Sequence, residues 1–216
     1  MDGDLWGTVI FGDVVRSRRE AAASSEWLAR LVRILDARYA GERSAPFGYT
    51  QGDELQGLLE QEADPFGVVA LAMLHESARP MRWVIRAGQM DPGSGPATQR
   101  TGEAFLEARR MLEGAGRRPD ALLAATGDPR ADRLLEDLAP VLGEMLGGLR
   151  PRQRQLARLA LLEGRRQAEI AELLGVRRAT ISVSFRRAGI RSLERMLNAT
   201  RSTFAEGSQA ARTAAS

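Results

Sequence analysis

The residues of this sequence best suited to chemistry are arginines and carboxylates. All 31 basic residues are arginine, cysteine and lysine are absent, and His75 is the one histidine. A guanidinium stays protonated, so it can hold an anion through its fork of N–H donors but cannot serve as a Schiff-base amine or a general base. Thiolate nucleophiles, disulfides, cysteine-based metal sites and a Ser–His–Asp relay away from His75 drop out with the missing side chains. His75 itself lies in an amphipathic stretch and reads as structural. What remains is anion binding. Arg16, Ser17, Arg18 and Arg19 follow closely on Asp13, where they form either a clamp for a ligand anion or a solvated charge run. Arg177, Arg178, Arg186 and Arg187 crowd into eleven residues near the other end.

Charge is divided along the chain. Residues 1–148 hold 17 Arg against 23 Asp and Glu, net −6, and residues 149–216 hold 14 against 5, net +9. An acidic body joined to a basic segment expects a polyanion as partner, with nucleic acid the leading candidate. Hydrophobic residues make up 44% and charged residues 27%. No apolar run reaches the roughly 18 residues a membrane span needs, so a soluble, cytoplasmic chain is expected.

The elements that must position these residues follow from periodicity. A buried strand is read over 5–15, ending at Gly12-Asp13. Trp27, Leu28, Leu31, Val32 and Leu35 recur at helical spacing within 24–39. Strands over 47–50 and 55–59 flank Gln51-Gly52-Asp53-Glu54, where Gly and Asp suit a tight hairpin turn. Asp64 and Pro65 open a helix to about residue 78, as N-cap and first helical residue. A strand over 81–90, a mobile loop over 91–101, a helix over 102–112, a strand over 118–127 and a helix over 129–147 follow. The order βαββαβαβα predicts an α+β fold with an antiparallel sheet covered by helices on one face. It resembles the ferredoxin-like core of nucleotide cyclases.

Past Gly147-Gly148 the pattern is all helical. In the stretch from Gln167 to Ser182, two helices meet at Gly175, where the missing Cβ lets the chain turn. Ile170, Leu174, Val176, Ile181 and Phe185 form the inward face. Arg177, Arg178, Ala179, Thr180, Ser182, Val183, Arg186 and Arg187 are left as the candidates for contact with DNA bases or phosphates. The stretch resembles the helix-turn-helix of sigma-factor region 4 and of LuxR-type regulators, which implies double-stranded DNA as partner. Two departures stand out: Arg177 replaces the usual Ser or Thr cap, and Ser184 replaces an apolar residue.

A wider resemblance rests on Val9 to Arg18, Thr50 to Leu58, Arg86-Ala87-Gly88 and Gly102 to Arg109. These strings are similar to the SatD family, whose members also end in a helix-turn-helix; Leu55 stands where a Phe is usual. Nucleotide cyclases place one carboxylate after the first strand and another in the following hairpin, where they hold Mg²⁺ against triphosphate oxygens. Asp13 and Asp53 look like those metal positions, and Glu54 like a third ligand; such a set would leave sites on the ion for phosphate and water. Gly52 and Arg109, or Arg110 in its place, complete the nucleotide-facing set that the resemblance implies. The same Asp residues also suit a strand end and a turn. Leu106 occupies the Asn position of the cyclase helix and the base-selecting lysine is missing, so no catalytic residue is assigned.

The expected organisation is a cyclase-like sensor domain over 1–127, a connecting helix over 128–148, a helix-turn-helix over 149–198 and a disordered Ser-, Ala-, Gly- and Thr-rich tail over 199–216. Three functions stay open: a regulator that senses a nucleotide or other anion and binds DNA as a homodimer, a metal-dependent nucleotidyl cyclase or related phosphotransfer enzyme, and a scaffold whose helix-turn-helix contacts protein.

Overall fold

The structure, a computed structural model, describes residues 5–15, 21–50, 54–116 and 121–215. β1 (Leu5–Val14) is buried on both faces from Gly7 onward. Because strand side chains alternate, Val9 and Phe11 enter one hydrophobic core and Ile10 and Val14 another. β1 therefore takes the centre of a five-stranded sheet of order β2-β3-β1-β4-β5, with β2 (Arg43–Tyr49), β3 (Glu54–Glu60), β4 (Met81–Met90) and β5 (Leu122–Ala125). β1 runs antiparallel to β3 and β4, β2 and β3 pair as a hairpin, and β5 adds parallel to β4. The first four strands thus form the ferredoxin-like split βαβ arrangement. The fold is α+β, as expected.

Helices were expected on one face of the sheet; they occupy both. α1 (Ala21–Arg38) and α2 (Pro65–Leu74) share one core, while α3 (Glu103–Gly114) packs Ala104, Phe105, Ala108 and Leu112 against Val9, Phe11 and Val84 on the other. The reason lies in β1, which is apolar at both alternating sets and so offers water no face. The 91–101 loop, expected to be mobile, is closed by hydrogen bonds instead. The Asp91 amide donates to the Thr101 carbonyl (3.1 Å) and the Thr101 hydroxyl to Asp91 Oδ2 (2.8 Å). A single 3₁₀ turn, Ala97–Gln99, buries Ala97 against the sheet.

α4 (Pro129–Gly147) is more than a connector. Asp128 caps it by accepting from the amides of Arg130 (3.1 Å) and Ala131 (2.8 Å). Leu135, Ala139, Leu142 and Leu146 then enter the main core. The Asp64 carboxylate, expected to cap α2, accepts no cap bond and instead pairs with Arg201.

Arg201 belongs to α8 (Ile190–Ala215), which overturns the expected disordered tail. Ile190, Leu193, Leu197 and Phe204 recur at steps of three, four and seven residues, one helical face, and sink into the same core as α2 and α4. The Phe204 ring meets Phe66 edge-on at 5.5 Å, and Trp6 Nε1 donates to Ser208 Oγ at 3.2 Å. At Gly207 a Cβ would lie 2.3 Å from the Ala131 methyl, so only glycine permits this approach. The C-terminal region thus packs continuously with the N-terminal one, and residue 149 marks no break in packing. Among the described residues no helix is long and apolar enough to cross a membrane.

Candidate nucleic-acid interface

The basic segment builds a small core of its own. α5 (Pro151–Ala157) continues through a π-helical turn, Arg158–Leu162, into α6 (Gln167–Leu173) and α7 (Arg178–Arg187). Leu156, Leu159, Ile170, Ala171 and Ile181 are buried together, with Leu174, Val176 and Phe185 partly buried around them. That group contains all five residues read as the inward face. Gly175 makes the turn at φ +62°, and the Val176 amide donates to the Ala171 carbonyl at 3.0 Å.

Burying Ile181 and half-burying Phe185 fixes which way α7 faces. Arg177, Arg178, Ala179, Thr180, Ser182, Val183, Arg186 and Arg187 are all exposed. The two departures have local answers. Arg177 stands at the N-cap of α7 without a capping side chain, and its carbonyl accepts the Thr180 amide at 2.9 Å. The Ser184 hydroxyl donates to the Thr180 carbonyl at 2.8 Å, a backbone contact that hides its polarity on a half-buried face.

Five arginines elsewhere in the chain and the arginines of α7 differ in company. Arg82 is paired with Asp13, Arg86 with Glu107, Arg109 with Glu54, Arg43 with Asp36 and Arg201 with Asp64. Arg177, Arg178, Arg186 and Arg187 take part in no ion pair or side-chain hydrogen bond among the described residues. Four exposed guanidiniums on one short helix, without carboxylate partners, constitute a surface with its anion-binding capacity intact.

The second candidate site lies on the sheet face that α3 covers. Asp13 and Glu54 are direct cross-strand partners. Asp13 Oδ2 accepts from Arg82 Nε at 2.9 Å, and Glu54 Oε1 from Arg109 at 3.0 Å and from Gln56 Nε2 at 2.6 Å. The Arg109 guanidinium also lies 5.2 Å from the centre of the Phe11 ring. Glu54 and Arg109 are therefore brought together, as partners of each other. Arg16, Ser17, Arg18, Arg19, Gly52 and Asp53 lie outside the described residues, and with them half of the expected metal pair. Among the described residues no cluster of three or more His, Cys, Asp or Glu side chains is poised for a metal. A cleft of about 590 Å³ opens beside Phe11, between the 91–101 loop and α3, with Arg109 and Arg110 at its margin.

Sequence reasoning missed Arg82 as the partner of Asp13, because that pairing depends on the register of β1 with β4. It also missed Gln167 and Arg191, which meet Ser182 and Arg186 around one hollow. An exposed arginine two residues beyond Gly189 was the available signal for the latter.

Comparison with known proteins places the family model described as Sigma-70, region 4 over residues 141–188, from the second half of α4 through α7. No curated protein matches the sequence. Among solved structures, the crystal structure of a regulator of polyketide synthase expression from Bifidobacterium adolescentis is similar at 18% identity. The match covers 97% of this chain and 82% of that one, with a TM-score of 0.32.

Proposed function

We propose that this chain is a DNA-binding transcriptional regulator whose α7 is the recognition helix. The observation that carries the reading is the concentration of four exposed arginines at the N-cap and along α7 behind a Gly175 turn, none with an ion pair among the described residues, where Arg43, Arg82, Arg86 and Arg109 are each held by a carboxylate. The segment's likeness to Sigma-70 region 4 supports it. In a helix-turn-helix the second helix lies in the major groove with its exposed side chains toward base edges and flanking phosphates. Arg178, in the first turn of α7, stands as a base reader, and Arg187 as a phosphate contact.

The cyclase-like domain is the sensor in this reading, and the SatD resemblance lends it that architecture. Its cleft beside Phe11 and Arg109 is the entry for an anionic ligand such as a nucleotide. With Asp13 and Glu54 already matched by guanidiniums, binding rather than turnover is the role these residues suit.

The working form is a homodimer, the state in which helix-turn-helix readers address paired half-sites. The supporting feature is on α4, where Leu134 (57% exposed) and Val141 (41%) stand a heptad apart with the half-buried Leu138 between them. In an antiparallel pair of α4 helices, exposed Arg130 of one copy meets Glu144 of the other.

The test is selection of genomic fragments by the full chain, followed by gel-shift titration of wild type and the Arg178→Ala, Arg186→Ala double variant. Retention of a defined fragment set by the wild type, lost in the variant, is the expected result; equal retention by both contradicts the reading.

A further inference from the structure

We infer that a hollow beside α7 seats one phosphate diester, a backbone phosphate of the bound DNA, and that Gln167, Arg191 and Ser192 are binding residues there together with Ser182 and Arg186. The inference rests on the DNA-binding reading above and adds the anchoring site.

The hollow, about 340 Å³, lies between the start of α6, the second half of α7 and the first turn of α8, with Phe185 as its apolar wall. Gly189, at φ +64°, turns the chain so that Arg191 and Ser192 come round beside Arg186. Among the described residues no carboxylate lines it. The hollows beside α3, between α2 and α5, and between α1 and α8 each mix arginine with Asp or Glu, so an anion entering them meets repulsion as well as attraction. Here the entering group meets two guanidiniums, two hydroxyls and one carboxamide. Among the described residues neither Arg186 nor Arg191 has an ion pair to break first.

That inventory fits a ligand that carries one negative charge and only accepts hydrogen bonds. A phosphate diester is such a ligand, and guanidinium forks match its oxygens in pairs. Position selects the source. Ser182 and Arg186 sit one helical turn apart on α7 and belong both to its exposed face and to the wall of the hollow. A phosphate held there lies on the strand that borders the groove α7 enters, where contacts fix orientation without reading sequence.

The test compares full-length wild type, Arg191→Ala, Arg191→Lys and the Gln167→Ala, Ser192→Ala pair on two selected DNA fragments across a salt series. A parallel titration uses inorganic phosphate alone, followed by NMR. Arg191→Ala is expected to weaken binding to both fragments by the same factor, about tenfold, and to flatten the salt slope by about 1. Arg191→Lys should restore the slope but only part of the affinity, since it keeps the charge and loses the fork. An unchanged slope in Arg191→Ala, with wild type binding DNA, overturns the phosphate seat and leaves the regulator reading standing. A shift in preference between fragments also overturns it, by making Arg191 a base reader. Inorganic phosphate bound through Arg191, with DNA affinity untouched by the substitution, assigns the hollow to a free phosphate and overturns the DNA source. Absence of DNA binding by the wild type at low salt defeats both the reading and the inference.

Discussion

At the scale of single residues, function in this protein turns on which arginines already have partners. An exposed ion pair contributes little to stability, typically about 0–1 kcal/mol, yet it fixes where a guanidinium points and what it will next accept. Arg109, held by Glu54 and resting over Phe11, is committed; Arg178 and Arg186 are not. Arg178→Ala, the loss of a base reader, should cost about 1–3 kcal/mol of DNA affinity and relax preference between fragments, and Arg186→Ala should weaken all fragments alike, while thermal unfolding stays unchanged in both, since both side chains are exposed. Parallel gel-shift and melting measurements check both halves. His75 makes a different prediction. Burial lowers its pKa, and its Nδ1 accepts the Ser77 amide at 3.1 Å, a bond only the unprotonated nitrogen can take. Protonation therefore favours the unfolded chain. The contribution is fully present above the unfolded value of about 6.5 and is lost as pH falls below it. Urea unfolding at pH 7.5 and 5.5 should show a loss of stability that is smaller in His75→Asn, and equal losses would rule His75 out as the cause. The exposure of the eight residues read as candidates for DNA contact was legible in the sequence because a helix with a known inward face dictates its outward one. The Asp13–Arg82 pair was not, because residues 69 positions apart meet only through strand register.

At the scale of elements, α8 decides how the two halves hold together. Its apolar steps run Ile190, Leu193, Leu197, Phe204, a visible stripe, but Thr200, Gly207 and Ser208 occupy the same buried face. Those residue types, common in loops, disguised the helix as a tail. Their burial has reasons: the Thr200 hydroxyl donates to the Met196 carbonyl at 2.8 Å, Ser208 accepts from Trp6, and Gly207 lets α8 close on Ala131. Phe204→Ala should therefore cost about 3–5 kcal/mol by leaving a cavity against Phe66. Gly207→Val should cost about 1–3 kcal/mol by forcing α8 off α4. Denaturant midpoints measure both, and a Phe204→Ala midpoint equal to wild type would mean that α8 does not dock. The sheet was the most legible part: every strand was expected within a few residues of where it lies, since alternation and turn chemistry are local signals. Coverage of both sheet faces was less so, because only pairing β1 between β3 and β4 shows that neither face is open.

At the scale of the whole molecule, charge and packing work in opposite senses. The chain divides electrostatically at about residue 148, +9 against −6, while its hydrophobic core runs through that point by way of α4 and α8. A ligand in the α3-side cleft and DNA on α7 would thus act on one packed body, the condition under which two sites can share a coupling free energy. Dimerisation through α4 makes a prediction of its own: Leu134→Glu with Val141→Glu should convert a sedimenting dimer to a monomer without unfolding it, since both side chains are exposed. If the double variant sediments like the wild type, α4 is not the interface.

The central claim is that α7 and its surroundings neutralise DNA phosphates, and its most direct test is the affinity of the full chain for a selected fragment across a salt series. Four to six phosphate contacts predict that the logarithm of the binding constant falls against the logarithm of salt concentration with a slope of about −4 to −5. Arg178→Ala with Arg186→Ala should make that slope shallower. A slope near zero, or one that the double variant leaves unchanged, contradicts the account.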